Sequence, residues 1–329
     1  MIKVLWIDNY PFFGTPSLFT YLRWKIAERI NKDKEFKISR HMRNPDVTIV
    51  VKRMEPDLKI PKGSKLIFDT NVNYFTRTGD FIVPGTMPTD DHMKNARTMA
   101  QKADKVIVTS TSIRCSLLER AEVIKDPIEI DIYRPKFAGE GLRAGDERLR
   151  LIWCGIRKKA KHLELIEDVL YNNKDRISLK IVTDGEASNN PTPPVLERLV
   201  KNLGAEVLRY SYKNLAYHFR ESDVVISPKI LNNSYEMGHT EHKITCGMAC
   251  GLLAIASPQP SYLEAAENGG VTICESDDEW GEAISMYLNG GGIRLIMDSI
   301  KAKKNAVGNY SLEEISEQYK KAILETANG

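Results

Sequence analysis

The sequence is short of the features that mark secreted, membrane-spanning and metal-rich proteins. Its 329 residues include only five cysteines, an odd number, and no two are spaced as Cys-x-x-Cys. This argues against a disulfide framework and against a zinc ribbon. No stretch approaches the roughly 20 apolar residues of a membrane span, and the N-terminal residues lack the apolar run of a signal peptide. We therefore expect a cytoplasmic protein.

Charge and glycine patterning disfavour two further classes. The formal net charge is +3, too close to balance to indicate nucleic acid binding. No predicted strand leads into Gly-x-Gly-x-x-Gly, which argues against a dehydrogenase of the Rossmann type. Hydrophobic residues make up 42% of the chain, enough for two packed cores, and the length favours two domains.

Both halves of the chain alternate predicted strands with helices. The strands are continuous apolar runs, as expected for parallel sheets covered on both faces. In the first half they are Ile2–Ile7, Phe36–Arg40, Val47–Lys52, Lys65–Asp69, Lys105–Thr109 and Glu122–Ile124, with helices at Pro16–Ile30, His92–Ala103 and Thr111–Arg120. In the second half they are Leu149–Cys154, Ser178–Thr183, Glu206–Tyr210, Val224–Ser227, Leu252–Ser257 and Val271–Cys274.

This alternation predicts two Rossmann-like domains, residues 1–135 and 149–310. The stretch 136–148 is glycine-rich, charged and aperiodic, which predicts a linker. Ser311 and Glu314 form a capping-box pattern, so we expect a final helix over residues 311–329.

Two of the predicted strands end in Ser-Pro, at Ser227 and Ser257. Between them lies a helix of small side chains, Lys243–Cys250, which can press close to a sheet or a ligand. In open parallel sheets, ligands bind at the carboxyl ends of the strands. The stretch therefore predicts half of a binding site.

A glycine turn after the strand Leu149–Cys154 brings basic residues to a helix start. Gly155 is followed by Arg157 and Lys161, and the helix N-terminus adds free amide donors and the positive end of the dipole. An arginine can also bind a phosphate in bidentate fashion. The turn predicts a phosphate site; a solvated basic turn is the alternative.

The order aspartate, apolar strand, Ser-Pro, polar loop, Lys, Met-Ala-Cys-Gly, apolar strand, Ser resembles the nucleotide-sugar-binding domain of GT-B glycosyltransferases. It is most similar to glycosyltransferase family 4, over most of residues 150–289 and only loosely in the first half. The resemblance implies an α/β fold of two Rossmann-like domains facing a central cleft. The final helix would cross back to the first domain, or else pack on the second. No metal or other cofactor is expected, since basic groups and helix dipoles would neutralise the leaving diphosphate.

The resemblance also implies roles for residues at the strand ends. Arg157 and Lys161 would grip the donor diphosphate and stabilise the leaving group. Asp69 could act as general base toward an acceptor hydroxyl, or be an ordinary strand-end cap. The donor-binding candidates are Gly14, Thr15, Gly155, Asp184, Tyr210, Glu236, Glu241, Lys243 and Met248. Asp184 could equally be a turn residue, and Tyr210 half-buried packing.

The sequence departs from the family at two acidic positions. Members usually carry two glutamates eight positions apart, where this chain has Gly238 and Cys246. Glu236 and Glu241 are close substitutes. His239 and His242 lie beside them, but the His-x-x-His spacing fits one helical face poorly, so we expect no metal there.

The expected activity is transfer of a sugar from a nucleotide-sugar donor to a hydroxyl of a glycan, glycolipid or other acceptor, with retention. The alternatives are a non-catalytic partner subunit that binds nucleotide sugars, and a nucleotide-sugar epimerase. The helix Pro16–Ile30 carries Arg23, Trp24, Lys25 and Arg29. Such a basic-aromatic face could hold the protein at an anionic membrane, where lipid-linked acceptors reside. Otherwise it is a solvated face, with Trp24 in the core.

Overall fold

A computed structural model describes residues 1–8, 17–117, 121–134, 148–185, 192–289 and 291–329. The predictions made for Gly14 and Thr15, and for residues 136–147 of the expected linker, lie outside the described residues.

Strands form wherever the sequence shows a short, continuous apolar run. In chain order, β1 to β6 are Ile2–Ile7, Phe36–Ser39, Val47–Val51, Lys65–Thr70, Lys105–Val108 and Ala121–Val123. Strands β7 to β12 are Leu149–Cys154, Ile177–Thr183, Glu206–Arg209, Val224–Ser227, Leu253–Ala256 and Val271–Ile273. The predicted strands are confirmed, with boundaries shifted by at most one residue.

The described residues form two parallel six-stranded sheets. Their strand orders are β2-β1-β3-β4-β5-β6 and β12-β11-β10-β7-β8-β9. Because neighbouring strands run parallel, the carboxyl ends of each sheet share one edge, where ligands bind in such sheets. Strand β7 lies in the middle of the second sheet and β10 beside it, so the turns that follow these two strands are neighbours.

Helices cover both faces of the sheets. Helices α1 to α6 are Leu18–Ile30, Asp90–Lys102, Thr111–Ser116, Glu167–Asn172, Pro194–Arg198 and Tyr212–Arg220, and α7 to α12 are Ser234–Met237, His242–Ala249, Pro260–Ala266, Asp277–Asn289, Gly291–Tyr310 and Leu312–Asn328. A 3₁₀ helix, Arg157–Ile166, precedes α4, and a π-helical turn, Leu199–Leu203, follows α5. Alternate residues of β7 enter opposite cores: Leu151 and Trp153 pack in one, and Ile152 and Cys154 in the other.

The final helix α12 returns to the first sheet, the first of the two packings considered for it. Ile315, Tyr319 and Ile323 recur every four residues, so they share one face of the helix. They are buried in the same core as Trp6 and Ile26. At 25 cal/mol per Å² of apolar surface, each large side chain buried there contributes about 1.5–3 kcal/mol.

The chain passes between the two sheets twice, and the two crossings hydrogen bond to each other. The amide of Ile128 donates to Tyr310 O at 2.7 Å, and the amide of Leu312 donates to Ile128 O at 3.0 Å. At this place, therefore, the two halves are joined both by the chain itself and by hydrogen bonds.

Helix α1 does not offer the basic-aromatic face considered for membrane binding. Arg23 is fully buried and bonded to Asp69. Trp24 packs against the first core, with the guanidinium of Arg40 3.6 Å from its ring centroid. This arrangement supports the alternative, in which Trp24 belongs to the core. Within the described ranges, no helix is long and apolar enough to cross a membrane.

Candidate functional site

Glu236 lies at the centre of a buried group of basic side chains where β7 and β10 end. Its carboxylate is 3.1 Å from Lys159 Nζ and 3.1 Å from Lys229 Nζ. The Nε2 atoms of His162 and His239 lie 3.4 and 3.6 Å from the same carboxylate. We call these five residues the Glu236 cluster. Its three charged residues are each at most 6% exposed, so their interactions are weakly screened by solvent.

The 3₁₀ helix after β7 directs Lys159 and His162 toward Glu236. With three residues per turn, side chains at i and i+3 are eclipsed, which puts these two on one face. The amide of Ile230 donates to His162 Nδ1 at 3.2 Å. The neutral imidazole therefore carries its proton on Nε2, the atom that faces Glu236.

The loop after β10 supplies the other two charged members. Asn233 caps helix α7, its Oδ1 accepting from the amide of Glu236 at 2.9 Å. The amide of Lys229 donates to Ser257 Oγ at 2.8 Å, and Ser227 Oγ bonds the Tyr262 hydroxyl at 2.8 Å. The serines that end β10 and follow β11 thus hold the loop in place, and they are themselves buried.

Mutual repulsion and burial govern ionisation in the cluster. Burial alone would raise the pKa of Glu236, but Lys229 and its other basic neighbours hold that pKa far below the usual value. Burial, and then the charge of Lys229, hold the pKa of Lys159 well below that of a free lysine. Burial also lowers the pKa of His162 to about 4, so this imidazole is neutral at pH 7. The site is short of negative charge.

A third lysine, Lys243, approaches from helix α8. Burial, and then repulsion from Lys229, lower its pKa to about 8. Its Nζ lies 5.5 Å from the ring centroid of Trp153. A Cβ added at Gly155 would lie 3.0 Å from this Nζ and 2.7 Å from the Trp153 ring. The glycine after β7 is therefore required for close packing at the site.

Arg157, one of the two predicted diphosphate ligands, bonds to residues at and after the end of β8. The amide of Arg157 donates to Asp184 Oδ1, and its Nη2 donates to Asp184 O at 3.4 Å. Arg157 Nη1 donates to Thr192 Oγ1 at 3.4 Å. Asp184 thus ties the Gly155 turn to the end of β8, while Lys161 is half-buried. Lys159, which the sequence interpretation did not single out, is a lysine of this turn that contacts Glu236.

Three further donor-binding candidates have separate surroundings. Met248 is fully buried within a hydrophobic core, which leaves it no surface for a ligand. Tyr210, at the end of β9, is 36% exposed and accessible. Glu241 is buried at the start of α8, 3.6 Å from Lys125 Nζ of the first half. Burial raises the pKa of Glu241 to about 7 against the opposing charge of Lys125.

Asp69 is an internal structural residue in this conformation. Its Oδ2 accepts from Arg23 Nε at 2.9 Å and from the Tyr319 hydroxyl at 2.5 Å. Asp69 and Arg23 are both fully buried, and Asp126 lies 3.3 Å from the same guanidinium. As the chain is folded here, no acceptor hydroxyl can reach the carboxylate, so the geometry supports the structural alternative for Asp69.

The first half of the chain closes over the cluster. Ser110 Oγ donates to Gly238 O at 3.1 Å. A Cβ added at Gly238 would lie 2.8 Å from Asn73 Cβ and 3.4 Å from Ile113 Cγ1. Lys158 Nζ donates to Pro84 O at 2.8 Å. The position where relatives carry a glutamate is thus filled by the opposing half.

The two histidines of the His-x-x-His sequence face different surroundings. His239 faces Lys159, whereas His242 Nε2 lies 3.4 Å from Cys246 Sγ. In the part of the chain that the structure describes, no group of three or more His, Cys, Asp or Glu could hold a metal ion.

Sequence reasoning missed Lys159, Lys229 and His162. Two signals were present. Lys229 stands two residues beyond the end of β10, where a strand-end ligand is expected. Lys159 and His162 are three apart, the spacing that only a 3₁₀ helix eclipses.

The fold has close structural counterparts. HepE (Alr3699) of Anabaena, solved with UDP, superposes with a TM-score of 0.71 at 13% identity, covering 98% of this chain and 100% of that one. HepE has also been solved with UDP-glucose. AviGT4, a glycosyltransferase involved in avilamycin A biosynthesis, gives a TM-score of 0.65 at 11% identity, covering 100% and 99%.

A glycosyltransferase from Rickettsia africae gives a TM-score of 0.62 at 19% identity, covering 95% of this chain and 84% of that one. No protein-family model matches the chain. No curated protein matches it either. At these identities the likeness establishes the fold: two parallel six-stranded sheets with flanking helices, in the GT-B arrangement.

Proposed function

We propose that this chain is a glycosyltransferase that binds the diphosphate of a nucleotide-sugar donor at the Glu236 cluster and Lys243. The observation that carries the proposal is a carboxylate with two lysines 3.1 Å away, at the carboxyl ends of β7 and β10, and a third lysine, Lys243, near enough for Lys229 to lower its pKa. A buried site with more cations than anions has its highest affinity for an anion of multiple charge. Fold likeness to glycosyltransferases agrees with this chemistry but does not determine it.

The lysines would act on the leaving group. In sugar transfer, negative charge grows on the departing nucleoside diphosphate, and fixed cations in a dry site stabilise that charge strongly. The same charges make a metal unnecessary, and we propose that none is used. Retention, implied by the resemblance to glycosyltransferase family 4, is part of the proposal.

Glu236 would then change partners. Without a ligand, it neutralises Lys159 and Lys229 at 3.1 Å each. A bound diphosphate would take over both ammonium groups, and the carboxylate would accept hydrogen bonds from sugar hydroxyls. Diphosphate binding would also raise the pKa of Lys243 from about 8, so donor affinity should fall as pH rises above 8.

Thermal unfolding with nucleoside diphosphates and their sugars tests the proposal, starting with UDP and UDP-glucose. A ligand at 100 times its Kd adds about 2.7 kcal/mol of stability. Lys159→Ala should abolish most of the UDP-dependent shift in Tm, whereas Lys161→Ala should retain it. Lys201→Ala, an exposed lysine elsewhere in the same half, is the matched control.

If instead Lys161→Ala loses the shift and Lys159→Ala keeps it, Lys161 binds the diphosphate, as the sequence analysis expected, and Lys159 does not. Failure of every nucleotide to shift the Tm of the wild type would refute donor binding. EDTA should leave transfer unchanged, and loss of activity that Mg²⁺ restores would contradict the metal-free reaction.

One observation favours a second candidate, a non-catalytic nucleotide-sugar-binding subunit. Cys246 stands where relatives carry the ribose-binding glutamate, and it is buried beside His242. Release of UDP from UDP-glucose, measured with and without added acceptors, separates the two candidates. A transferase releases UDP, whereas a binding subunit shows the UDP-dependent shift in Tm but releases no UDP.

A further inference from the structure

A cavity opens between the halves, on the other side of helix α7 from the lysines of the Glu236 cluster. Its volume is about 490 Å³, within the range of roughly 300–1,000 Å³ typical of small-molecule sites. The lining residues are Asn73, Thr76, Thr78, Gly79, Ser112, Cys115, Ser116, Leu231, Asn232, Asn233, Ser234 and Met237. They come from the loop after β4, from helix α3, and from the loop and helix after β10.

The chemistry of the lining is uniform. None of these twelve residues is charged or aromatic; five carry hydroxyls, three carry amides, and only Leu231 and Met237 are large and apolar. A phosphate or carboxylate would lose its hydration without meeting a cation, which is costly. Hydroxyl and amide groups both donate and accept, which suits a ligand made of hydroxyl groups.

The cavity has a fixed shape because its walls hydrogen bond across the two halves. Asn73 Nδ2 donates to Ser116 Oγ at 3.0 Å and to Ser234 O at 3.3 Å. Ser234 Oγ donates to Thr76 O at 3.0 Å. Gly79 and Asn233 form an antiparallel bridge between the halves. Such ordering before binding lowers the entropy lost when a ligand binds.

Helix α7 connects this cavity to the lysine site. Ser234 and Met237, three residues apart, line the cavity, while Glu236 between them faces the lysines. A sugar hydroxyl bound in the cavity would thus lie next to the element that carries the central carboxylate of the donor site.

We propose that this cavity binds the acceptor and that the acceptor is a neutral carbohydrate, not an anionic one. The inference rests on the proposed function, since an acceptor has meaning only for a transferase. It adds the class of acceptor and the residues that select it.

Cys115 provides a direct probe of occupancy. It lines the cavity and is exposed, whereas the other four cysteines are buried. The rate at which Cys115 reacts with N-ethylmaleimide should therefore report whether the cavity is filled. The probes are maltose, cellobiose, lactose and N,N′-diacetylchitobiose at millimolar concentrations, against a heparin disaccharide and phosphatidylglycerol vesicles.

At least one neutral disaccharide should slow labelling by about fivefold, the factor expected for a ligand at four times its Kd. The double variant Thr78→Val with Ser112→Ala should lose this protection and keep the UDP-dependent shift in Tm. Thr98→Val, which removes a hydroxyl on α2 outside the cavity, should keep both.

Absence of protection by every neutral disaccharide would overturn the inference, as would stronger protection by the heparin disaccharide or the vesicles. The UDP shift in Tm is measured separately. If UDP binds and no sugar protects, the acceptor inference fails and the proposed function stands. If a sugar protects and no nucleotide binds, the acceptor role fails together with the proposed function.

Discussion

Replacing Glu236 with glutamine tests the electrostatics of the site most sharply. The substitution keeps the size of the side chain and removes the one carboxylate of the Glu236 cluster. Lys159 and Lys229, each 3.1 Å from it, would then be buried without a counter-ion. Removing one partner of a buried ion pair costs about 3–5 kcal/mol because the remaining charge is uncompensated. Two lysines share this carboxylate, so we expect the upper part of that range.

The loss of stability in Glu236→Gln should depend on pH and on added anions. Lysines that lose their proton need no counter-ion, so the difference between Glu236→Gln and wild type should shrink as pH rises from 7 to 9. Lys243, with a pKa of about 8, should lose its charge within this window. Inorganic pyrophosphate should stabilise the variant more than the wild type, because it replaces the missing negative charge.

The assay is thermal unfolding at pH 7 and pH 9, with and without pyrophosphate. For a domain of about this size, 1 kcal/mol shifts Tm by roughly 2–4 °C, so the variant should unfold at least about 6 °C below wild type at pH 7. Glu197→Gln, an exposed carboxylate in the same half, should change stability by no more than about 0.5 kcal/mol. A Glu236→Gln protein as stable as wild type, and indifferent to pyrophosphate, would refute the electrostatic reading of the site.

Three further predictions concern other buried contacts, two of which lie between the halves. The folded pKa of Glu241 is about 7, above the ordinary carboxyl value. Its contribution to stability is therefore present below about pH 4.5 and lost as pH rises through 7. Glu241→Gln should gain about 2.5 kcal/mol relative to wild type between pH 5 and pH 8, and equal Tm differences at both pH values would contradict this. Asp69→Asn should destabilise by about 3–5 kcal/mol by stripping Arg23 of its partner; a fully stable variant with lost transfer would instead support Asp69 as general base. Gly238→Ala should cost about 1–3 kcal/mol, because its Cβ would lie 2.8 Å from Asn73 Cβ. Gly308→Ala in α11, with nothing within 4 Å, should be neutral or stabilising by up to about 1 kcal/mol, and a cost equal to that of Gly238→Ala would show that the clash is not the cause.

The fold could be predicted from the sequence because its signals are local. Strands β3 and β10 are short runs in which every residue is buried, and such runs indicate parallel sheets covered on both faces. The return of α12 to the first sheet depended on the resemblance, because an apolar helical face shows that a partner exists but not which one.

The sequence interpretation put the candidate site at the carboxyl edge of the second sheet, where the Glu236 cluster lies, but it did not identify Lys159, Lys229 or His162. The sequence interpretation expected a helix after Gly155 and assigned the diphosphate to Arg157 and Lys161 on the resemblance. The chain forms a 3₁₀ helix there, and this change of period directs Lys159 and His162 inward. The choice between an α-helix and a 3₁₀ helix carries no strong local sequence signal, since it depends on tertiary packing.

The apparent loss of the family's acidic residue has a physical explanation in the contact between the halves. A glutamate at position 238 would place its Cβ 2.8 Å from Asn73 Cβ and 3.4 Å from Ile113 Cγ1, which leaves no room for the side chain. Two residues earlier, on helix α7, Glu236 points away from the first half and reaches Lys159 and Lys229. On the proposed function, a diphosphate would pair with these lysines, and Glu236 balances their charge when no diphosphate is bound. Glu236 is therefore the residue whose substitution should decide whether this chain handles a nucleotide sugar.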